Sequence, residues 1–200
     1  MRRKTFDTLV SSVGVLLAVI LAVAGGLLLF AGNFAHSQVT DQLSAQKVFF
    51  PPAGSDALKP EAIGQYLNQY AGQQLTTGPQ AQVYANHFIA VHLSEIGGGK
   101  TYSELSAAAM KDPTNAELQG QVATVFKGET LRGLLLNAYA FWTVGTIAIW
   151  GAIVAFLGAV LMLVLSIFGF VHAGRVAPKA TLGAPAVETI EPPVSETTAV

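Results

Sequence analysis

The sequence contains no cysteine and few charged residues. Without cysteine the chain has no disulfide bond, no thiolate nucleophile and no Cys-based zinc or iron–sulfur site. Charged residues make up 12% of the 200 positions, against roughly 25% in soluble domains. The net charge of −1 gives no reason to expect nucleic acid as a partner.

Two long stretches, residues 9–34 and 134–171, lack Asp, Glu, Lys and Arg altogether. The chain as a whole is 52% apolar, with a mean hydropathy of +0.49. A helix of about 20 residues crosses the hydrocarbon core of a bilayer, and backbone in lipid must satisfy its own hydrogen bonds. The pattern therefore predicts an all-α integral membrane protein whose two transmembrane helices flank a small helical domain.

The first stretch follows Arg2, Arg3 and Lys4, as the apolar region of a signal peptide would. However, such regions run for about 7 to 15 residues and end at a small-x-small cleavage site. This stretch is longer, and no clear site surrounds Asn33. The sequence therefore predicts a retained membrane anchor.

Basic residues flank the two spans on their outer ends in the sequence. Residues 1–8 are basic, and Arg175 and Lys179 follow the second span, while residues 35–133 carry six Lys or Arg and eight Asp or Glu. Short basic flanks favour the cytoplasm, and loops longer than about 60 residues translocate regardless of charge. We therefore expect a multi-pass protein of the plasma membrane with both termini cytoplasmic and residues 35–133 extracytoplasmic.

Small residues recur every four positions in both spans. At this spacing they form a groove that lets helix backbones approach closely in lipid. The pattern favours a packing face, either between the two spans or between copies of the chain. Its members are Gly14, Ala18, Ala22 and Gly26 in the first span and Gly151, Ala155 and Ala159 in the second.

The intervening segment has the apolar spacing of short helices. The first span should continue as a stalk up to Phe50, because Pro51 and its neighbouring proline cannot extend a helix. A second helix is expected from Pro60, and a third should follow the Gly-Pro pair at Gly78 and end at Ile96. Together these helices supply enough apolar residues for a modest core.

Two further helix starts carry the capping-box spacing, in which a Thr side chain and a Glu three residues later cap each other's amides. Thr101 and Glu104 form one pair, and Thr114 and Glu117 form the other. Residues 172–200 are rich in Ala, Pro, Thr, Val and Glu, which is typical of a disordered tail. Ser195, Thr197 and Thr198 are candidate phosphorylation sites in that tail.

The run S-E-I-G-G-G-K-T at residues 94–101 is close to a phosphate-binding loop, but Ser94 stands where the motif requires its first glycine. A helix end, a glycine turn and a new helix start is the better interpretation. His87, His92 and Glu95 suggest an iron triad. In a regular helix, however, the two histidines point about 140° apart, so we expect no metal, cofactor or catalytic residue here.

The segment K-G-E-T-L-R-G at residues 127–133 precedes the second span. Glu129 and Arg132 are three residues apart and can pair on a helix. Lys127 and Arg132 are also suited to contact lipid phosphates. A solvated junction that fixes where the span begins is the simpler interpretation, and a binding role at the membrane surface is the alternative.

Three motifs resemble those of a family of actinobacterial two-span membrane proteins without an assigned activity. They are G-P-Q-A-Q-V-Y-A-N-H at residues 78–87, G-G-K-T-Y-S-E-L at residues 98–105 and L-R-G-L-L-L at residues 131–136. Some members carry the name aromatic ring-opening dioxygenase. The resemblance implies a location in an actinobacterial plasma membrane. A dioxygenase needs converged iron ligands, whereas His36 and His172 belong to opposite membrane boundaries.

These observations predict an accessory or scaffolding component of a cell-envelope or membrane complex rather than an enzyme. The spans hold no charge of the kind that transporters and proton relays place inside their bundles. The alternative is an extracytoplasmic sensor that binds a small molecule or lipid, and a membrane-bound oxidoreductase is third. A pocket lined by Tyr66, Tyr70, Tyr84 and Phe88 would favour the sensor, and a filled domain with an exposed apolar patch the scaffold.

Overall fold

The computed structural model describes residues 2–177, and across this range the chain is helical with no β-strand. The all-α prediction is confirmed. The predicted phosphorylation sites and most of the predicted tail lie outside the described residues. The α-helices are α1 (Arg3–Ala45), α2 (Glu61–Leu67), α3 (Gly78–Tyr84), α4 (Ala90–Ile96), α5 (Tyr102–Lys111) and α6 (Ala116–Arg175), with 3₁₀ turns at Asp56–Leu58 and Asn68–Tyr70 and a π-helical segment at Ala85–Ile89.

Helices α1 and α6 are long and apolar enough to cross a membrane. Helix α1 has 43 residues and α6 has 60, and both exceed the roughly 20 that a bilayer requires. Large apolar side chains cover their outward surfaces, and Phe30 and Val154 are 71% and 68% exposed. Such surfaces suit a lipid environment better than water.

The described chain forms two compact units, and α1 and α6 run through both. In the first, residues 2–23 pack against residues 156–177. A β-carbon added at Gly14 would collide with Ser166, one at Gly169 would collide with Ser11, and one at Gly158 would lie 3.3 Å from Leu21. As the residue number rises along α1, the residue number of the contact on α6 falls, so the helices are antiparallel here.

The second unit, residues 24–155, holds the rest of the helix pair and all the shorter helices. A β-carbon at Gly32 would lie 2.7 Å from the Gly145 carbonyl oxygen and 2.6 Å from Ile149 Cγ1. One at Gly151 would lie 3.4 Å from Leu28. The helices are antiparallel here too, and their backbones approach closely at glycine.

In the apolar parts of the two helices, residues 11–32 of α1 and 145–173 of α6, buried positions recur every seven residues rather than every four. Ala22 is exposed, and a β-carbon at Gly26 would have no neighbour within 4 Å. The four-residue stripe therefore does not describe the closest contacts within the chain, although Ala22 faces α6 across a cavity that Phe156 and Ala159 also line. Packing between copies of the chain stays a prediction. Four residues turn a helix by about 400°, so such a stripe drifts around it, whereas seven residues miss two full turns by only about 20°. We call the buried set the small-residue seam: Ser11, Ala18, Gly25 and Gly32 on α1, and Gly145, Ala152, Ala159, Ser166 and Ala173 on α6.

Helix α1 ends five residues before the predicted stalk does. It stops at Ala45, and Lys47 adopts a left-handed backbone conformation with φ 53°. The chain then extends, and Phe50 N donates to Gln73 O at 2.9 Å while Leu75 N donates to Val48 O at 2.9 Å. The left-handed turn, rather than the following prolines, ends the helix.

The start of α6 also differs from the prediction. Asn115 caps it, because its Oδ1 accepts from Leu118 N at 3.0 Å, whereas the Thr114 hydroxyl donates to Asp112 at 3.1 Å. The helix continues without a break through Gly133, where the sequence predicted a junction. The last predicted short helix and the predicted second span are therefore one continuous helix.

The main hydrophobic core lies in the second unit. It joins the C-terminal part of α1 and a middle part of α6 to α2, α3 and the intervening loops. Its buried members are Val39, Leu43, Phe50, Leu58, Ile63, Leu67, Leu75, Ala81, Ala85 and Leu135.

Candidate functional site

The predicted third helix is present but is built differently from the expectation. It begins at Gly78, capped by Thr77, whose hydroxyl accepts from Gln80 N in a capping box that the sequence analysis missed. Gly78 lies directly on the Trp142 side chain of α6, where a β-carbon would collide. The π-helical segment Ala85–Ile89 then shifts the helix phase before α4. Such segments are frequent at functional sites.

The two histidines of the considered iron triad have separate partners. The His87 ring stacks on Tyr66, with ring centroids 3.5 Å apart. His92 Nδ1 lies 2.7 Å from the Phe88 carbonyl oxygen, and its ring lies 4.5 Å from the Phe88 ring. Because His87 lies in the π-helical segment, the angle derived for a regular helix does not apply. Within residues 2–177, no three His, Asp or Glu side chains are placed to share a metal ion.

Three of the four aromatic residues proposed as pocket walls pack against Phe50 or against one another, whereas Tyr66 is 39% exposed and stacks on His87. Phe50 contacts Tyr70 and Tyr84, with ring centroids 5.2 and 5.3 Å apart, and Tyr84 contacts Phe88 at 4.8 Å. Burial raises the pKa of the Tyr84 hydroxyl above its ordinary value. These rings are a packed core that supports the surrounding helices.

A buried glutamine organises the loop before α3. Gln80 Oε1 accepts from the backbone amides of Thr76 and Thr77 at 2.8 and 3.1 Å. Its Nε2 donates to Gln73 Oε1 at 3.3 Å. One side chain therefore satisfies two loop amides, and the i, i+3 spacing of Thr77 and Gln80 was the sequence signal for it.

The glycine run has the structure that the sequence predicted. Helix α4 ends at Ile96, and Gly98 and Gly99 have φ of 60° and 77°. Thr101 and Glu104 then cap α5 reciprocally. Hydrogen bonds from the backbone amide and then the hydroxyl of Thr101 hold the pKa of Glu104 below its ordinary value.

The predicted pair within residues 127–133 is present, although it lies inside α6 rather than at a junction. Arg132 Nη1 lies 3.3 Å from Glu129 Oε2. Arg132 Nη2 donates to Asn86 Oδ1 at 3.3 Å, which ties α6 to the π-helical segment. Lys127 is exposed. The arginine therefore links α6 to the π-helical segment in addition to pairing with Glu129.

Another cross-helix contact joins α1 to α6 just beyond the predicted first span. His36 stacks on Trp142, with ring centroids 3.9 Å apart. Its Nε2 lies 3.0 Å from the Trp142 carbonyl oxygen and 3.1 Å from Thr146 Oγ1. A β-carbon at Gly145 would lie 2.8 Å from the imidazole, so this glycine makes room for the histidine.

A groove of about 520 Å³ lies between α1 and α6 in the second unit. Its volume falls within the roughly 300 to 1,000 Å³ typical of ligand sites. The groove was not predictable from the sequence, because it depends on how the helices pair. We call it the glutamine groove. It is lined from α1 and the turn that follows by Phe34, Ala35, Gln38, Val39, Gln42, Leu43 and Gln46, and from α6 by Leu131, Leu134, Leu135, Asn137, Ala138 and Phe141.

In the first unit, a smaller cavity of about 430 Å³ lies beside Asp7 and His172. The His172 Nε2 atom is 3.9 Å from Asp7 Oδ2. The Ser11 and Ser166 hydroxyls, which also line the cavity, each donate to a carbonyl of their own helix at 2.7 Å. No third ionisable group lines this cavity.

Comparison with known proteins finds no match to this chain among protein-family models, curated proteins or solved structures.

Proposed function

We propose that the chain is an integral plasma-membrane protein in which α1 and α6 cross the bilayer and the shorter helices lie on its extracytoplasmic side. The exposed apolar surfaces of both helices support insertion. The basic residues before α1 and the Arg175 at the end of α6 support cytoplasmic termini. An actinobacterial plasma membrane is the proposed location, because of the sequence resemblance.

Single cysteine reporters test this topology, since the chain has no native cysteine. Asp56→Cys is suited to the outer position because the Asp56 side chain is 91% exposed. We expect it to react with an impermeant thiol reagent in intact cells. Thr5→Cys and Gly174→Cys should react only after permeabilisation, and labelling of either in intact cells would contradict the topology.

For its function, we propose an accessory or scaffolding component of a cell-envelope or membrane complex. The observation that carries this proposal is a pair of exposed aromatic rings that joins α5 to α6, with a further exposed methionine on α5. Tyr102 and Phe126 have ring centroids 5.5 Å apart, and Tyr102, Met110 and Phe126 are 39%, 73% and 55% exposed. Leu105 of α5 and Val125 of α6 are buried. A patch of this kind suits contact with another protein.

Affinity purification from native membranes in mild detergent, followed by mass spectrometry, tests the scaffold. We expect specific proteins to co-purify with the wild-type chain and to be lost with Phe126→Glu, which places a charge in the patch. Thr124→Glu adds the same charge at an exposed position on the opposite side of α6 and should retain them. Recovery of the chain alone at stoichiometric purity would contradict the proposal.

We propose no catalytic role, because His87 and His92 are each engaged by a different aromatic neighbour. Elemental analysis of the purified chain tests this directly. One tightly held iron per chain, lost in His92→Ala but retained in His172→Ala, would favour the oxidoreductase alternative.

A further inference from the structure

The two walls of the glutamine groove differ in chemistry. The α1 wall carries Gln38 and Gln42, which are four residues apart and share one face of the helix, and Gln46 follows in the turn after α1. The α6 wall is apolar apart from Asn137. No Asp, Glu, Lys, Arg or His lines the groove. Its lining therefore suits a molecule with apolar carbon on one side and uncharged hydrogen-bonding groups on the other.

The groove exists because the apolar parts of α1 and α6 are unequal in extent. On α1 the apolar run ends at Phe34, yet on α6 it begins at Leu134. His36 pairs with Trp142, so the antiparallel helices place the α6 residues before Trp142 beside the glutamines. Leu134 and Phe141 remain 60% and 62% exposed as a result. Residues 134–141 of α6 therefore extend beyond the end of the apolar run of α1 and are not covered by that run.

One end of the groove is continuous with the surface proposed to face lipid. Phe34 and Phe141 line that end, and Phe34 stacks on Phe30 with ring centroids 6.3 Å apart. Phe30 belongs to the apolar run and is 71% exposed. An acyl chain lying along Phe30 in the bilayer can therefore enter the groove past Phe34 without crossing water. From Phe34 to its end at Ala45, helix α1 rises about 16 Å.

We infer that the glutamine groove binds a bilayer amphiphile with an uncharged, hydroxyl-bearing head group, of which diacylglycerol is the simplest example. Its acyl chain lies on Leu131, Leu134 and Phe141, and its hydroxyl and ester groups hydrogen-bond to the glutamine amides. A phosphate head group would require arginine or lysine partners, which the lining lacks. The inference goes beyond a scaffolding role and rests on membrane insertion.

Photo-crosslinking of the full chain in phosphatidylcholine vesicles tests this inference. The probes are diazirine-bearing diacylglycerol and, for comparison, diazirine-bearing phosphatidylglycerol, each at the same low mole fraction. We expect diacylglycerol adducts on the peptides that contain residues 34–46 and 131–141, at a yield about tenfold above phosphatidylglycerol.

Two variants with matched controls locate the contact. Leu134→Trp fills the groove and should abolish the adduct, whereas Val144→Trp, at an exposed α6 position outside the lining, should not. Gln42→Leu should reduce the yield about fivefold, while Asn33→Leu, at an exposed α1 position outside the lining, leaves it unchanged.

Equal capture of the two lipids, adducts outside the groove or no effect of Leu134→Trp would overturn the inference. So would a crosslink from the groove to another protein in native membranes. Vesicle flotation in the same experiment separates this inference from the proposed function. If the chain floats with vesicles but yields no groove adduct, only the lipid site is contradicted. If the chain does not float, membrane insertion is contradicted as well.

Discussion

The small-residue seam and the main hydrophobic core hold helices together by opposite means. The seam uses Gly, Ala and Ser, so the backbones themselves make the contact. The core uses large side chains, and Phe50, Ile63, Leu67 and Leu75 are all less than 3% exposed. In water, burial of large apolar groups drives association, whereas in lipid it does not, and close backbone packing takes its place. The small-residue seam therefore suits the lipid environment proposed for it, and the main hydrophobic core suits the aqueous environment proposed for the shorter helices.

The comparison predicts that truncating a large side chain damages the core and spares the lipid-facing surface. Leu67→Ala should destabilise the core by about 2 to 5 kcal/mol, because it leaves a cavity. Chemical unfolding in detergent micelles, followed by circular dichroism, measures the loss. Leu27→Ala, at a position 66% exposed on the apolar part of α1, leaves no cavity. Similar losses in the two variants would contradict the division into regions.

The converse prediction is that enlarging a small side chain damages the seam. Gly32→Ala adds a β-carbon that would lie 2.7 Å from the Gly145 carbonyl oxygen, and overpacking of this kind costs about 1 to 3 kcal/mol. A lower thermal midpoint in detergent is expected. Gly26→Ala is the control, because its β-carbon meets nothing within 4 Å and alanine favours helix. If Gly26→Ala lowered the thermal midpoint as much as Gly32→Ala, the seam positions would be no more sensitive to added volume than other positions of α1.

Capping within the second unit should matter less than either kind of packing. Thr77→Ala removes the hydroxyl that accepts from Gln80 N and should cost about 1 kcal/mol. Hydrogen exchange at the first amides of α3 would accelerate. Thr77→Ser retains the hydroxyl and should restore protection, whereas failure of serine to restore it would show that the threonine methyl, rather than the cap, is responsible.

The smallest effect should be the pH dependence of the α5 cap. Because the pKa of Glu104 is lowered in the folded chain, the cap's contribution is present above the unfolded pKa and is lost as pH falls through the folded pKa. Titration of the Glu104 carboxyl carbon by NMR measures the folded value. We expect Thr101→Ala to raise that value toward the ordinary range, and an unchanged midpoint would show that Thr101 is not the cause.

Local patterns predicted local structure well. The two apolar runs, the Thr101 cap and the glycine turn depend on residues close in sequence, and each is present in the structure. The helix after Pro60 is also present, although Pro60 precedes the first helical residue instead of occupying it. At the start of α6, two neighbouring residues with capping side chains competed, and spacing alone favoured Thr114 over Asn115.

Features that depend on pairing distant segments were not predictable in the same way. The seven-residue step of the seam arises only when two helices wind around each other, so α1 alone showed the more obvious four-residue pattern. The π-helical segment has no clear local signal, although it alters where His87 points. The glutamine groove needs the offset between α1 and α6 that His36 and Trp142 define.

The contacts of Ser11 and Ser166 with glycine have a consequence for sliding of the two helices. Ser11 and Gly14 on α1 repeat as Ser166 and Gly169 on α6, and each serine faces the other helix's glycine. The seam by itself is degenerate, since a slide by seven residues would bring small residues opposite small residues again. That slide would move Ser166 from Gly14 to Leu21 or Asp7, each of which carries a side chain where Gly14 has none. The reciprocal serine and glycine contacts thus favour one axial alignment of α1 and α6 over the others.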